Sequence, residues 1–196
     1  MLFRSSYFTE FWPSDNTDPI ERLFIQWGFS QVFPAKTMCA HVTTWNKNSS
    51  VKFRTDVAMM CKLGFDIKLA DMSKDDETYC RTAVQNYNRL KPVVLEGDMY
   101  RLVSPYGSNH TSTMYVGKDK DKAAVFAFDI HPRYAEKILP VRLQGLDADK
   151  MYRVKEINLM PGANSSLSGN GEVFSGEFLM NVGLNLFTTQ QLNSRV

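Results

Sequence analysis

Apolar and polar residues along this 196-residue chain follow two different periods. Ile20, Leu23, Phe24 and Trp27 recur at i, i+3, i+4 and i+7, the spacing of one helical face. Asp18 can cap that helix, Pro19 suits its first position, and Glu21 stands third, as in a capping box. Gly28 offers the left-handed residue that commonly ends a helix. Short strand-like runs flank it, Tyr7–Trp12 before and Ser30–Phe33 after, which together read as a βαβ unit. A second helix is predicted over Thr55–Leu63, closed by Gly64, with a strand over Phe65–Leu69. Ser73 then caps a long helix whose stripe is Cys80, Ala83, Val84, Tyr87 and Leu90, predicted to end before Pro92. Alternating strands and helices imply a parallel α/β sheet.

After about residue 96 the helical period gives way to short alternating runs over 99–103, 112–116, 124–130, 140–146 and 152–159. The plainest alternation covers Glu177–Phe187, where Phe178, Met180, Val182, Leu184 and Leu186 share one face. Turn-forming sequence separates the runs, notably Gly117–Lys122 and Pro161–Gly171. This half therefore reads as an antiparallel β-sandwich.

Composition narrows the picture. With 43% apolar and 12% aromatic residues, the chain can bury a core of one domain or two small ones. Its 23 basic and 21 acidic residues are interspersed, so there is no basic stripe for a nucleic acid. Cys39, Cys61 and Cys80 lack CxxC spacing and are odd in number, which points to buried free thiols rather than disulfides or zinc. No apolar run reaches the length of a membrane span and no signal peptide is legible, so a soluble protein is expected, cytoplasmic or periplasmic in a bacterium.

The loop Trp12-Pro13-Ser14-Asp15-Asn16-Thr17-Asp18 joins a strand's end to a helix's start, where α/β barrels build active sites. Asp18 is accounted for by the cap. Asp15 is either a general acid or a solvated loop aspartate, and spacing alone leaves both open. Trp12 and Trp45 could stack on a sugar or pack in the core, and His41 could bind a ligand hydroxyl or serve structurally. Arg54 and Asp56 read as a local ion pair at a helix start. Lys118–Lys122 reads as a solvated hairpin tip, without the glycine and distal glutamate of a calcium loop. Asn48, Asn109 and Asn164 each begin a glycosylation sequon, a pattern common by chance.

The run Phe8-Thr9-Glu10-Phe11-Trp12-Pro13-Ser14-Asp15-Asn16-Thr17-Asp18-Pro19-Ile20-Glu21-Arg22-Leu23 resembles the acid/base signature of glycoside hydrolase family 36. The likeness continues through Ile25–Gly28, Ala40–Val42, Arg54–Met59 and Leu63–Asp66, and resumes at Leu143–Asp147 and Ser175–Gly183. It implies a retaining α-galactosidase acting on raffinose-type sugars or terminal α-galactosides, with no metal or organic cofactor. Asp15 would be the general acid/base, with Trp12 and Ser14 as substrate-binding residues. A homo-oligomer is expected of the full-length enzyme. Residues 1–95 would be the last units of a (β/α)8 barrel and residues 96–196 the C-terminal β-sandwich.

The family's nucleophile lies in a Lys-aromatic-Asp segment on an earlier barrel strand, and a Cys- and Gly-rich segment helps shape its sugar pocket. Neither occurs in residues 1–196. Residues 1–95 also have room for only about three βα units, whereas a complete barrel takes roughly 250 residues. The expectation is a C-terminal fragment, inactive alone, whose Met1 reflects truncation or a misplaced start. Two other readings are a carbohydrate-binding or interaction module, and a relative acting on N-acetylgalactosaminides or transferring galactose.

Overall fold

A computed structural model describes residues 9–45, 49–188 and 193–196. Helix α1 (Pro19–Phe29) starts as its sequence demands. Asp18 Oδ1 accepts the amides of Ile20 and Glu21, both at 3.0 Å, and Pro19 occupies the first turn. Gly28 does not end the helix, which continues to Phe29 and closes on Ser30 in a right-handed conformation. The buried face is also wider than the apolar stripe, because Arg22 and Gln26 go inward beside Leu23.

The predicted strand at Ser30–Phe33 is a turn. The strand that follows α1 is β1 (Cys39–Thr43), which runs parallel to β2 (Lys62–Asp66). Phe11 bridges Met38 in parallel on the other side of β1, while Tyr7 and Phe8 lie outside the described residues. The βαβ order therefore stands, with its second strand nine to ten residues later than expected.

Helix α2 (Val51–Ala58) begins four residues before the predicted Thr55, because Ser50 caps it by accepting the Phe53 amide at 3.1 Å. It also ends earlier, and Gly64 lies inside β2 rather than closing a helix. Helix α3 (Lys74–Glu96) starts at the predicted Ser73 cap but runs through Pro92 to Glu96. The last turn, carrying Val93, Val94 and Leu95, is buried, so tertiary packing outweighs the lost hydrogen bond of the proline. Val84 of the predicted stripe is exposed.

Strands β3 (Asp98–Val103), β4 (His110–Val116) and β5 (Ala123–Asp129) form an antiparallel sheet with the short β8 (Asn193–Arg195), in the order β3-β4-β5-β8. All seven residues of β4 are buried, so this sheet is covered on both faces. Along β5, Ala124, Phe126 and Phe128 join the core beneath the α/β elements, while Ala127 joins a second core with Leu143, Leu146 and Leu179.

The second layer departs most from expectation. Residues 140–146 contribute only a bridge from Val141 to Leu184, and residues 152–159 only the start of a hairpin of β6 (Met151–Arg153) with β7 (Val173–Ser175). The alternating run 177–187 opens as helix α4 (Gly176–Asn181). Ser175 caps α4 by accepting the Phe178 amide at 3.1 Å, and Gly183 then turns with φ +88°. Alternation had placed Phe178 and Val182 inward, yet both are exposed, and Leu179 is the buried residue.

Several polar contacts join the halves, among them one from the Arg101 guanidinium of β3, which donates to Ser30 Oγ at 2.9 Å. Tyr115 Oη on β4 donates to Met60 O at 2.8 Å. More extensive is the fully buried Asp56 of α2, which does not pair with Arg54 as its spacing suggested. Its Oδ2 accepts from Lys52 Nζ at 2.6 Å and Ser194 Oγ at 2.5 Å, and its Oδ1 accepts from Tyr79 Oη at 3.2 Å and from Asn158 Nδ2. Arg54 instead donates to Thr43 O at 2.8 Å.

Removing one member of a buried ion pair strands the other charge, at a cost of about 3–5 kcal/mol. Asp56→Ala is therefore expected to lower the unfolding free energy by about that amount in urea titrations. The double change Lys52→Met with Asp56→Leu should cost less than Asp56→Ala alone, since no charge is then left unpaired.

Candidate active site

The loop 12–18 leaves the carboxyl end of the strand segment at Phe11. Its shape is set by its own side chains. Ser14 Oγ accepts the Asn16 amide at 3.1 Å, and Asn16 Oδ1 accepts the Asp18 amide at 3.0 Å. Thr17 is buried, its hydroxyl 2.9 Å from that of Thr43 at the end of β1. The loop is thus anchored at its C-terminal side, and Asp15 stands exposed at its crest.

Asp15 has a definite partner. Trp12 Nε1 donates to Asp15 Oδ1 at 3.0 Å. The indole is itself held. The Arg22 guanidinium lies 5.3 Å from its ring centroid and the His41 ring packs at 4.2 Å, tilted by 47°. Arg22 is only 3% exposed. It donates to Ser14 O and Cys39 O, both at 3.1 Å, and so spans from the loop to β1. Burial lowers its pKa from the ordinary value, and among the described residues no carboxylate pairs with it. A chain of contacts therefore runs from a buried cation through an indole to an exposed carboxylate.

His41 faces Gly64 across the parallel pair β1–β2. A Cβ at Gly64 would run into the imidazole, so only glycine leaves room for the ring beside Trp12. Desolvation lowers the His41 pKa from 6.5, with Arg22 acting in the same direction and Asp66 opposing. The lowered pKa favours the neutral ring, which can donate one hydrogen bond and accept another.

Of the residues singled out from sequence, the structure brings together Trp12, Ser14, Asp15 and His41. Trp45 is exposed beyond the end of β1. Arg54 and Asp56 serve the fold. Lys118–Lys122 is the β4–β5 hairpin tip, with Lys120 at φ +56° and Lys118 paired to Asp98. Cys61 and Cys80 are buried free thiols, pushed up by desolvation to about 12 and about 11. Of the sequon asparagines, Asn164 is exposed, Asn109 is occupied with the Glu136 carboxylate, and Asn48 lies outside the described residues. Arg22 was missed. Its signal was a cation interleaved in an apolar helical stripe, which reads equally well as a solvated face. Among the described residues no cluster of His, Cys, Asp or Glu is arranged to hold a metal, and no helix is long and apolar enough to cross a membrane.

Two measurements check this geometry. Arg22→Met keeps the length of the side chain but removes two charge-assisted hydrogen bonds, and should lower stability by about 1.5–3 kcal/mol in denaturant titrations. The His41 Cε1 proton should titrate below pH 6.5 by NMR. Because the unfolded chain then binds more protons than the folded one between the lowered pKa and 6.5, stability should rise with pH across that window. It is lost as the pH falls through it, and His41→Asn should flatten the slope.

Comparison with known proteins agrees over nearly the whole chain. The Melibiase family matches residues 4–97 and the glycosyl hydrolase family 36 C-terminal domain matches residues 110–196. Alpha-galactosidase 2 of Hypocrea jecorina is 34% identical over 97% of this chain and 24% of its own length. The crystal structure of the family 36 α-galactosidase AgaB from Geobacillus stearothermophilus superposes with a TM-score of 0.81 at 29% identity, covering 93% of this chain and 24% of that one. A variant of AgaA from the same organism, solved in complex with raffinose, superposes at 0.78 with 28% identity, over 92% of this chain and 24% of its own. The chain thus spans about a quarter of the length of these relatives. With its mixed α/β and antiparallel architecture, it belongs to glycoside hydrolase family 36.

Proposed function

We propose that this chain carries the acid/base half of a retaining α-galactosidase that removes terminal α-linked galactose from raffinose-type oligosaccharides. The observation that carries the proposal is the exposed Asp15 carboxyl at the end of a parallel strand, oriented by the Trp12 N–H. Residues 1–95 are then the last strands and helices of a (β/α)8 barrel, and residues 96–196 its C-terminal β-sandwich. The Melibiase match and relatives solved with raffinose and stachyose support this reading.

In a retaining hydrolase two carboxyl groups stand roughly 5–5.5 Å apart across the scissile bond. Asp15 first donates its proton to the departing glycosidic oxygen while the partner carboxylate attacks the anomeric carbon. It then takes a proton from the water that hydrolyses the glycosyl-enzyme ester. Trp12 fixes the carboxyl's orientation. Ser14 Oγ already accepts the Asn16 amide, which leaves its own proton for a sugar oxygen. The attacking carboxylate belongs to the Lys-aromatic-Asp strand that residues 1–196 do not contain.

Two consequences are measurable. Residues 1–196 alone should not hydrolyse a nitrophenyl α-galactoside above background, and turnover abolished by Asp15→Ala would refute this. Joined behind the preceding barrel of AgaB, the chain should support hydrolysis. There Asp15→Ala should slow turnover by about 10²–10⁴-fold, and added azide should restore it with α-galactosyl azide as product. Unchanged turnover in that variant would remove Asp15 from the reaction, and the β-azide would reassign it as nucleophile.

A further inference from the structure

A cavity of about 440 Å³ lies between the second face of the four-stranded sheet and the layer formed by residues 140–186. It falls within the roughly 300–1,000 Å³ typical of small-ligand sites. Its wall is apolar: Val125 and Ala127 of β5, Leu143, Leu146 and Leu179 of the second layer, and Leu90 of α3. Native cores hold few voids larger than a water molecule, and apolar cavities stay dry yet accept apolar guests.

The wall also holds a buried cation. Arg195, 7% exposed, sits on β8 opposite Ala127 and so on the cavity side of the sheet. One terminal nitrogen donates to Ser166 Oγ at 2.9 Å, but its Nε–H is buried and meets no acceptor among the described residues. The carboxylates around it hydrogen-bond to other groups, although the Asp129 charge also interacts with Arg195 through space. Asp129 accepts the Thr188 amide at 3.0 Å and pairs with His110 at 2.8 Å, Glu156 accepts from Ser165, and Asp121 pairs with Lys150 at 2.6 Å. Arg89, Lys122, Arg153 and Lys155 add further positive charge to the lining, beside Met151, which is 64% exposed. Among the side chains of the lining, five cationic ones stand against two acidic ones, a positive balance.

From this juxtaposition we infer that the cavity is a binding site for an amphipathic carboxylate, such as a medium-chain fatty acid. Its chain fills the apolar space, and its carboxylate pairs with the Arg195 guanidinium, which has no carboxylate within ion-pair distance among the described residues. Such an anion answers both features at once. A water could satisfy the donor but would leave the apolar wall bare, and a sugar would bury hydroxyls against leucines with few partners. The site stands apart from loop 12–18, so the inference does not depend on the role of Asp15.

Calorimetry on residues 1–196 with decanoate below its micelle concentration should show one saturable site per chain. Decan-1-ol should bind about tenfold or more weaker, the worth of one charge-assisted hydrogen bond, and decyltrimethylammonium weaker still. Arg195→Met should bring decanoate and decanol within a few-fold of each other, and Ala127→Phe, which fills the cavity, should abolish binding with the near-UV dichroism retained. Absence of saturable decanoate binding, or decanol or decyltrimethylammonium binding as tightly as decanoate to the unaltered chain, would overturn the inference without any variant. So would undiminished decanoate binding in a folded Ala127→Phe chain.

Discussion

The architecture depends on a carboxylate that water cannot reach. Asp56 is fully buried, and an isolated ion there would cost several kcal/mol. It is tolerated because four donors from four parts of the chain converge on it: Lys52 on α2, Tyr79 on α3, Asn158 in the second layer and Ser194 on β8. Burial, and after it the Asp56 charge, hold the Tyr79 phenol far above its ordinary pKa, so it is a committed donor. Asn158 adopts φ +62° to take part, a conformation that asparagine accepts more readily than most residues. Loss of Lys52 would strand the Asp56 charge, and loss of any neutral donor would leave one of its oxygens short of a hydrogen bond. Sequence separations of up to 142 residues are thereby brought to one point.

Around that point the sheet β3-β4-β5-β8 has two buried faces, and the side-chain alternation of its strands distributes residues between two cores. Phe128 on one face meets Phe53 of α2 edge-on at 5.5 Å, while Ala127 on the other turns toward Leu143 and Leu146. The α/β elements are therefore braced from below by the sheet. That bracing reaches the candidate site through α1. Gln26 of α1 donates to Val57 O at 3.0 Å, and Arg22, one turn earlier, grips the loop that carries Asp15.

Local chemistry was legible where a residue acts on its own neighbours. The Asp18 and Ser73 caps, the three central strands and the Lys118–Lys122 hairpin tip follow from interactions within a few residues. What sequence concealed was tertiary. Pro92 reads as a stop, but the helix continues because Val93 and Val94 have a core to enter. Residues 177–187 alternate as a strand should, yet the Ser175 cap and Gly183 turn impose a short helix in which Leu179 goes inward in place of Phe178 and Val182, while Leu184 and Leu186 beyond the turn are buried as the alternation implied. Arg54 and Asp56 look like a pair two residues apart, although such positions do not face each other on a helix; Lys52, four residues before Asp56, does. At the site, Asp15 and Trp12 were visible as candidates, but their mutual hydrogen bond was not. Nor was the buried Arg22 beneath them, since position in a helix does not reveal which face a cation will take.

This arrangement bears on how a two-carboxylate site can be divided along a sequence. Orientation of Asp15 uses groups from the loop, α1 and β1 alone: Trp12, Arg22 and His41 lie within 30 residues of one another. Beyond the room that Gly64 of β2 leaves for the His41 ring, that set draws on nothing distant, so the carboxyl is preorganised mainly by local packing. The spacing between two carboxylates, by contrast, is a property of the closed sheet that carries both. Under the proposed role, residues 1–196 hold a fixed acid/base group but no element that sets its distance from a nucleophile. In that role direction is encoded within residues 1–196, and separation would be supplied by the barrel as a whole.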